Sequence, residues 1–127
     1  MYDGKPRIAV VDDDASVRQG LANLISSVGY EAEPYASAEE FLARPEAGGA
    51  ACLVLDIRMP GMSGLELQRR LAAHSGGPPV IIITANSHDE TRAEALATGA
   101  VAFLNKPFKE ETLLGAISSA LSLDRRE

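Results

Sequence analysis

Two acidic residues close an apolar run in Ile8-Ala9-Val10-Val11-Asp12-Asp13. A third acid closes another, Cys52-Leu53-Val54-Leu55-Asp56. A lysine follows a third run, in Ala102-Phe103-Leu104-Asn105-Lys106-Pro107. If these runs are parallel strands, their C-terminal ends gather three carboxylates and one ammonium in a single pocket. Carboxylates crowded this way repel one another unless a divalent cation joins them. The chemistry expected at the pocket is therefore that of an oxygen-ligated cation.

The rest of the chain has to put those ends side by side. Short apolar runs alternate with longer amphipathic segments, as in βα units around a parallel sheet. Arg7 to Val11 read as a first strand. Asp14 or Ser16 can cap a first helix whose apolar positions are Val17, Leu21, Leu24, Ile25 and Val28. Spacings of three and four make these one stripe, and Gly29 ends the helix as a left-handed cap. Glu31 to Tyr35 form a second strand, and Pro34, which lacks an amide donor, places it at a sheet edge. Ser37-Ala38-Glu39-Glu40 has capping-box spacing for a short helix that stops near Pro45.

Ala51 to Leu55 are the third strand, and Ser63-Gly64-Leu65-Glu66 opens a third helix that ends before Gly76. Val80 to Thr84 is almost wholly β-branched, so it is expected to be central and buried on both faces. Ser87-His88-Asp89-Glu90 opens a fourth helix reaching about Gly99, and Ala100 to Leu104 are the fifth strand. A fifth helix after Pro107 carries Leu113, Leu114, Ile117, Leu121 and Leu123.

A chain of 127 residues suits one domain, here residues 5–123 with 124–127 as a tail or the start of a linker. The formal net charge of −6 argues against direct nucleic-acid binding, which needs clustered Lys and Arg. The one cysteine, Cys52, cannot form an internal disulfide and reads as inert core packing. No run approaches the ~20 apolar residues that span a bilayer. Met1 to Pro6 has no apolar signal region, which makes the cytoplasm the expected compartment. His74 and His88 lack metal-ligand spacing and read as surface residues.

With the acids, Thr84 and Lys106 on strand ends, the chain resembles a response-regulator receiver domain of two-component signalling. The likeness runs from about Lys5 to Leu123. Leu55-Asp56-Ile57-Arg58-Met59-Pro60-Gly61-Met62-Ser63-Gly64 and Lys106-Pro107-Phe108 resemble the FixJ-like branch. That resemblance implies an α/β, flavodoxin-like (βα)5 doubly wound parallel sheet with strand order 2-1-3-4-5. Ligands in such sheets bind beyond the carboxyl ends of the strands, where the topology switches. Strands one and three are neighbours in that order, so the acidic site falls where the topology requires.

The resemblance also implies roles. Asp56 would accept a phosphoryl group from a histidine kinase or phosphotransfer protein. Asp12 and Asp13 would hold Mg²⁺, Asp13 directly, together with Asp56 and the backbone carbonyl of Arg58. Lys106 would contact the phosphoryl oxygens, with the Lys106-Pro107 peptide cis. Thr84 would bond a phosphoryl oxygen after transfer, and Phe103 would relay the state to the face formed by the fourth and fifth helices and the fifth strand. The side chains of Arg58 and Asn86 would tune phosphoryl lifetime, and Asp14 reads as a helix cap. The expected outputs are phosphorylation-dependent homodimerisation through the fourth helix and fifth strand, and transcriptional control by an output domain outside these residues. Such a domain is no enzyme beyond its own phosphorylation and dephosphorylation.

Other readings fit less well. A phosphatase with an aspartyl-phosphate intermediate normally pairs its nucleophile with an acid two residues later, where this chain has Arg58. A flavodoxin-like cofactor binder needs a hydroxyl- and glycine-rich phosphate loop after strand one, and Asp12-Asp13-Asp14 would repel that anion. A phosphate-independent pseudo-receiver would not need the intact acidic site.

Overall fold

Five short apolar segments form one parallel sheet in the computed structural model, which describes residues 5–43, 50–59, 61–73, 78–85 and 89–124. The strands are β1 (Arg7–Val11), β2 (Glu31–Tyr35), β3 (Cys52–Asp56), β4 (Val80–Thr84) and β5 (Ala102–Asn105). The helices are α1 (Ala15–Ser27), α2 (Ala38–Leu42), α3 (Gly64–Ala72), α4 (Asp89–Ala97) and α5 (Glu110–Asp124). The order across the sheet is β2-β1-β3-β4-β5, the flavodoxin-like arrangement. Pro34 lies on β2, an edge strand.

Side chains alternate across each strand, so the sheet divides the apolar residues into two cores. Ala9, Val11, Leu53, Leu55 and Ile82 face one side, with Phe41 of α2, Leu67 of α3 and Ala95 of α4. Ile8, Val10, Cys52, Val54, Ile81 and Ile83 face the other, with Leu21 and Ile25 of α1 and Leu113 and Ile117 of α5. Every residue of β3 and β4 is buried, as strands covered on both faces must be. Among the described residues no helix is long and apolar enough to cross a membrane.

Helix starts follow local chemistry. Asp14 caps α1, accepting from the amides of Ser16 and Val17 at 2.9 and 3.2 Å. Ser37 caps α2 through the Glu40 amide, and Ser63 caps α3 through the Glu66 amide. Gly29 has φ +97°, the left-handed turn expected after α1.

Some expectations are corrected. Val28 is the C-cap of α1 and is 48% exposed, because the helix ends before its stripe completes another turn. Strand β3 runs one residue further than its apolar run, since Asp56 pairs with Ile83. Strand β5 starts at Ala102 rather than Ala100, because α4 closes with the Gly99 amide on Leu96 and the Ala100 amide on Ala95. Alternation on β5 suggests that Phe103 or Leu104 must face outward. Instead Phe103 packs on the first core and Leu104 on the second, because helices cover both faces of this edge strand. Pro45, Gly76, His74, Asn86, Ser87, His88 and residues 125–127 lie outside the described residues.

Candidate functional site

Strand pairing carries the acidic residues to one place. Val11 pairs with Leu55, so Asp12 and Asp56 emerge at the same level of adjacent strands. The Asp12 amide donates to the Tyr35 carbonyl at 3.2 Å, and the Ile57 amide to Ile83 at 3.3 Å. These bonds prolong the ladders past the last apolar residues and fix the acids there. The Lys106 amide donates to the Thr84 carbonyl at 2.7 Å, which brings the lysine to the same sheet end. The Lys106-Pro107 peptide is cis.

Asp12 is fully buried, Asp56 is 5% exposed, and Asp13 is exposed. One carboxylate oxygen from each lies within 4.8 Å of those of the other two. Lys106 Nζ is 3.1 Å from Asp12 Oδ2 and 3.9 Å from Asp56 Oδ2. Lys106 thus pairs with both acids, more closely with Asp12. Asp12 Oδ1 accepts from the Asp14 amide at 2.9 Å, so both Asp12 oxygens already take hydrogen bonds. Arg58 is exposed, and its amide reaches Asp56 Oδ1 at 3.4 Å. Thr84 is buried at the end of β4. It shares a sheet face with Phe103, which pairs with Ile82 two residues earlier.

Burial pushes the Asp56 carboxyl up to about 6, and the Asp12 charge pushes in the same direction. Lys106 and the Arg58 amide oppose that rise without cancelling it. At the other extreme, the Val17 and Ser16 amides and the Ser16 hydroxyl hold the exposed Asp14 carboxyl below its ordinary range. Asp14 is thus occupied as a helix cap. The three remaining acids offer only oxygen donors, carry more negative charge than one ammonium can balance, and converge. That donor set fits a hard divalent cation.

A family model described as response regulator receiver domain matches residues 8–118. The chain belongs to that family. The receiver domain is 42% identical over 123 residues to the response regulator protein TmoT of Ectopseudomonas mendocina, covering 97% of this chain and 56% of TmoT. It is 38% identical over 117 residues to the transcriptional regulatory protein FixJ of Bradyrhizobium diazoefficiens, covering 92% of this chain and 57% of FixJ. The chain thus spans little more than half the length of these curated relatives. Among solved structures, the response regulator StyR superposes with a TM-score of 0.85 at 49% identity, covering 95% of this chain and 61% of StyR. The N-terminal part of FixJ gives 0.83 at 37% identity, with 96% of each chain covered.

The receiver domain also contains a contact that the sequence does not announce. Arg18 Nη1 donates to the Asp12 carbonyl at 2.7 Å, tying α1 to the acidic strand end. A cation in the first turn of a helix opposes the helix dipole. That mismatch was the available signal that Arg18 serves something other than its own helix.

Proposed function

We propose that this receiver domain is a phosphorylation-activated switch, with Asp56 as phosphoacceptor and a sensor histidine kinase or phosphotransfer protein as donor. One observation carries the reading: Asp12, Asp13 and Asp56 converge beside Lys106 at the C-terminal end of a receiver-type sheet. An ionised Asp56 oxygen attacks the phosphorus of a phosphohistidine. The new O–P bond forms as the P–N bond breaks, and the leaving imidazole keeps the electron pair and takes a proton from water. No general base is needed, because a carboxylate is already the nucleophilic form above its pKa.

Asp13, Asp12, Asp56 and the Arg58 carbonyl would hold Mg²⁺. Asp13 suits the direct ligand, since it is exposed while both Asp12 oxygens already accept hydrogen bonds. Bound there, Mg²⁺ supplies charge neutralisation for the acids and the incoming phosphoryl oxygens. Lys106 adds a point charge to the same oxygens. Incubation with Mg²⁺ and acetyl phosphate is expected to add one phosphoryl group by intact mass, and none to Asp56→Asn. Unchanged labelling of that variant would overturn the assignment.

Thr84 and Phe103 relay the state. The phosphoryl oxygens draw the Thr84 hydroxyl toward them, Phe103 turns into the space released, and the surface of α4, β5 and α5 is reshaped. Such a bistable repacking acts as a population shift, with coupling of typically ~1–3 kcal/mol. The reshaped surface joins a second copy through α4 and β5, where Leu96 of α4 is already 42% exposed. Sedimentation velocity is expected to show monomer without beryllofluoride and dimer with it. Identical distributions would defeat the dimer, and a dimer persisting in Thr84→Ala would defeat the route through Thr84. We further propose a cytoplasmic location, transcriptional control through a separate output domain, and neither direct nucleic-acid binding nor catalysis beyond the domain's own phosphorylation and dephosphorylation.

A further inference from the structure

The segment after β3 carries Arg58, whose carbonyl is among the Mg²⁺ ligands proposed above. At its start, the Arg58 amide leans on Asp56 Oδ1. At its end, the Gly64 amide donates to the Ile57 carbonyl at 2.9 Å. Between them, Met59 is buried in the first core and Met62 is partly buried against it. One further anchor comes from α2. Glu39 Oε2 accepts from the Met62 amide at 2.9 Å, across 23 residues of chain.

The approach of Glu39 is built into the backbone. Gly61 has φ +76°, a conformation that favours glycine. A Cβ at Gly61 would stand 2.7 Å from Glu39 Oε2. The carboxylate therefore crosses the bare face of Gly61 to reach the next amide. The neighbouring acid bonds elsewhere, since Glu40 Oε1 accepts from the Ala36 amide at 2.8 Å and closes the start of α2. The Met62 amide also holds the Glu39 carboxyl below the ordinary carboxylate range, so Glu39 is ionised at neutral pH. A charge-assisted bond to a backbone amide is stronger than a neutral one.

We infer that Glu39 is a positioning residue for the metal site: it fixes the segment that presents the Arg58 carbonyl, and through it the affinity for Mg²⁺. This rests on the proposed Mg²⁺ ligands above. Glu39 touches neither metal nor phosphoryl group; it acts through Met62 and the loop. The acids themselves are carried by the sheet, so losing Glu39 leaves them in place and frees the loop.

The test titrates the whole chain with MgCl₂ by calorimetry and follows Met62 amide exchange by NMR. Four proteins are compared: wild type, Glu39→Ala, Glu39→Gln and Glu40→Gln. Glu39→Ala is expected to bind Mg²⁺ about fivefold more weakly and to exchange the Met62 amide at least about tenfold faster, the ranges of a lost anchoring bond. Glu39→Gln keeps an acceptor oxygen and should recover most of both. Glu40→Gln removes the same charge without touching the loop and should match wild type. Wild-type affinity in Glu39→Ala with a freed Met62 amide would reduce Glu39 to a local loop contact and overturn the inference. An unchanged Met62 amide in that variant would overturn it as well, as would equal weakening in Glu40→Gln, which would assign the effect to charge alone. Failure of the wild type to bind Mg²⁺ would instead overturn the metal reading itself.

Discussion

Gly64→Ala is expected to lower the unfolding free energy by about 3 kcal/mol, the upper part of the range for overpacking a tightly closed site. Gly64 is the first residue of α3, and its amide donates to the Ile57 carbonyl. A Cβ there would stand 2.3 Å from the Asp56 carbonyl oxygen, 2.8 Å from Ile57 Cα and 3.0 Å from the Asp56 carbonyl carbon. All three are backbone atoms at the end of a central strand, so none can swing aside as a side chain would. The helix must lift off the strand. Alanine's better helix propensity, at most ~1 kcal/mol, cannot offset this. Urea denaturation should therefore show a lower midpoint with little change in slope. In a thermal scan the loss should appear as a drop of roughly 10 °C. Gly20 of α1 is the control, since nothing lies within 4 Å of its would-be Cβ. Gly20→Ala should be neutral or stabilising by roughly 0.5–1 kcal/mol. Equal effects at the two glycines would mean that α3 is not held against the phosphoacceptor backbone. The same displacement should slow labelling by acetyl phosphate, because Asp56 and the loop after it move together.

The site was legible because its residues punctuate apolar runs. Asp12, Asp56, Thr84 and Lys106 each sit at or just past the end of a strand, and strand ends in a parallel sheet converge. The caps at Asp14, Ser37 and Ser63 were legible for a similar reason: each satisfies amides within three residues of itself. Contacts of polar side chains with backbone distant in sequence were not. Glu39 stands beside Glu40, the acid at the capping-box position, and nothing in that spacing shows that the Glu39 carboxylate serves Met62. Gln68 reads as a polar position on an amphipathic helix, yet it is buried and its Nε2 donates to the Ala95 carbonyl at 2.8 Å, locking α3 to α4. Periodicity reports which face is apolar and is silent about a polar group that crosses to another element. Val28 failed for a related reason, because the 3.6-residue period continues on paper after the backbone has left the helix. That Lys106 lies closer to Asp12 than to Asp56 turns on distances of 3.1 and 3.9 Å, which spacing cannot resolve.

Asp56→Asn is expected to be more stable than wild type at neutral pH without Mg²⁺, and no more stable near pH 4. The Asp56 carboxyl titrates at about 6 in the folded chain against an ordinary 3.8, chiefly because it is buried and next because it faces Asp12. Below the ordinary value it is protonated in folded and unfolded chains alike, and its raised pKa favours the folded state in full. As pH rises through the folded value, the proton is lost and the buried charge opposes folding. The wild type therefore loses stability relative to the variant between about pH 4 and pH 6. A shift of this size corresponds to on the order of 2 kcal/mol, at 1.36 kcal/mol per unit with allowance for relaxation of the site. Asparagine keeps the shape and cannot ionise; acids remote from Asp56 titrate alike in both proteins and cancel, while the coupling to Asp12 and Asp13 is part of the gap being read. Paired urea denaturations at pH 4 and pH 7.5 in EDTA should show a gap opening with pH in favour of the variant. Added Mg²⁺ should narrow that gap, since a cation bound only to the folded state stabilises it by linkage and binds best where all three carboxylates are charged. A gap independent of pH would place Asp56 in a solvated setting and remove the electrostatic reason for a cation at these strand ends. A gap that opens with pH but ignores Mg²⁺ would keep the buried charge and exclude Asp56 from the metal's ligands.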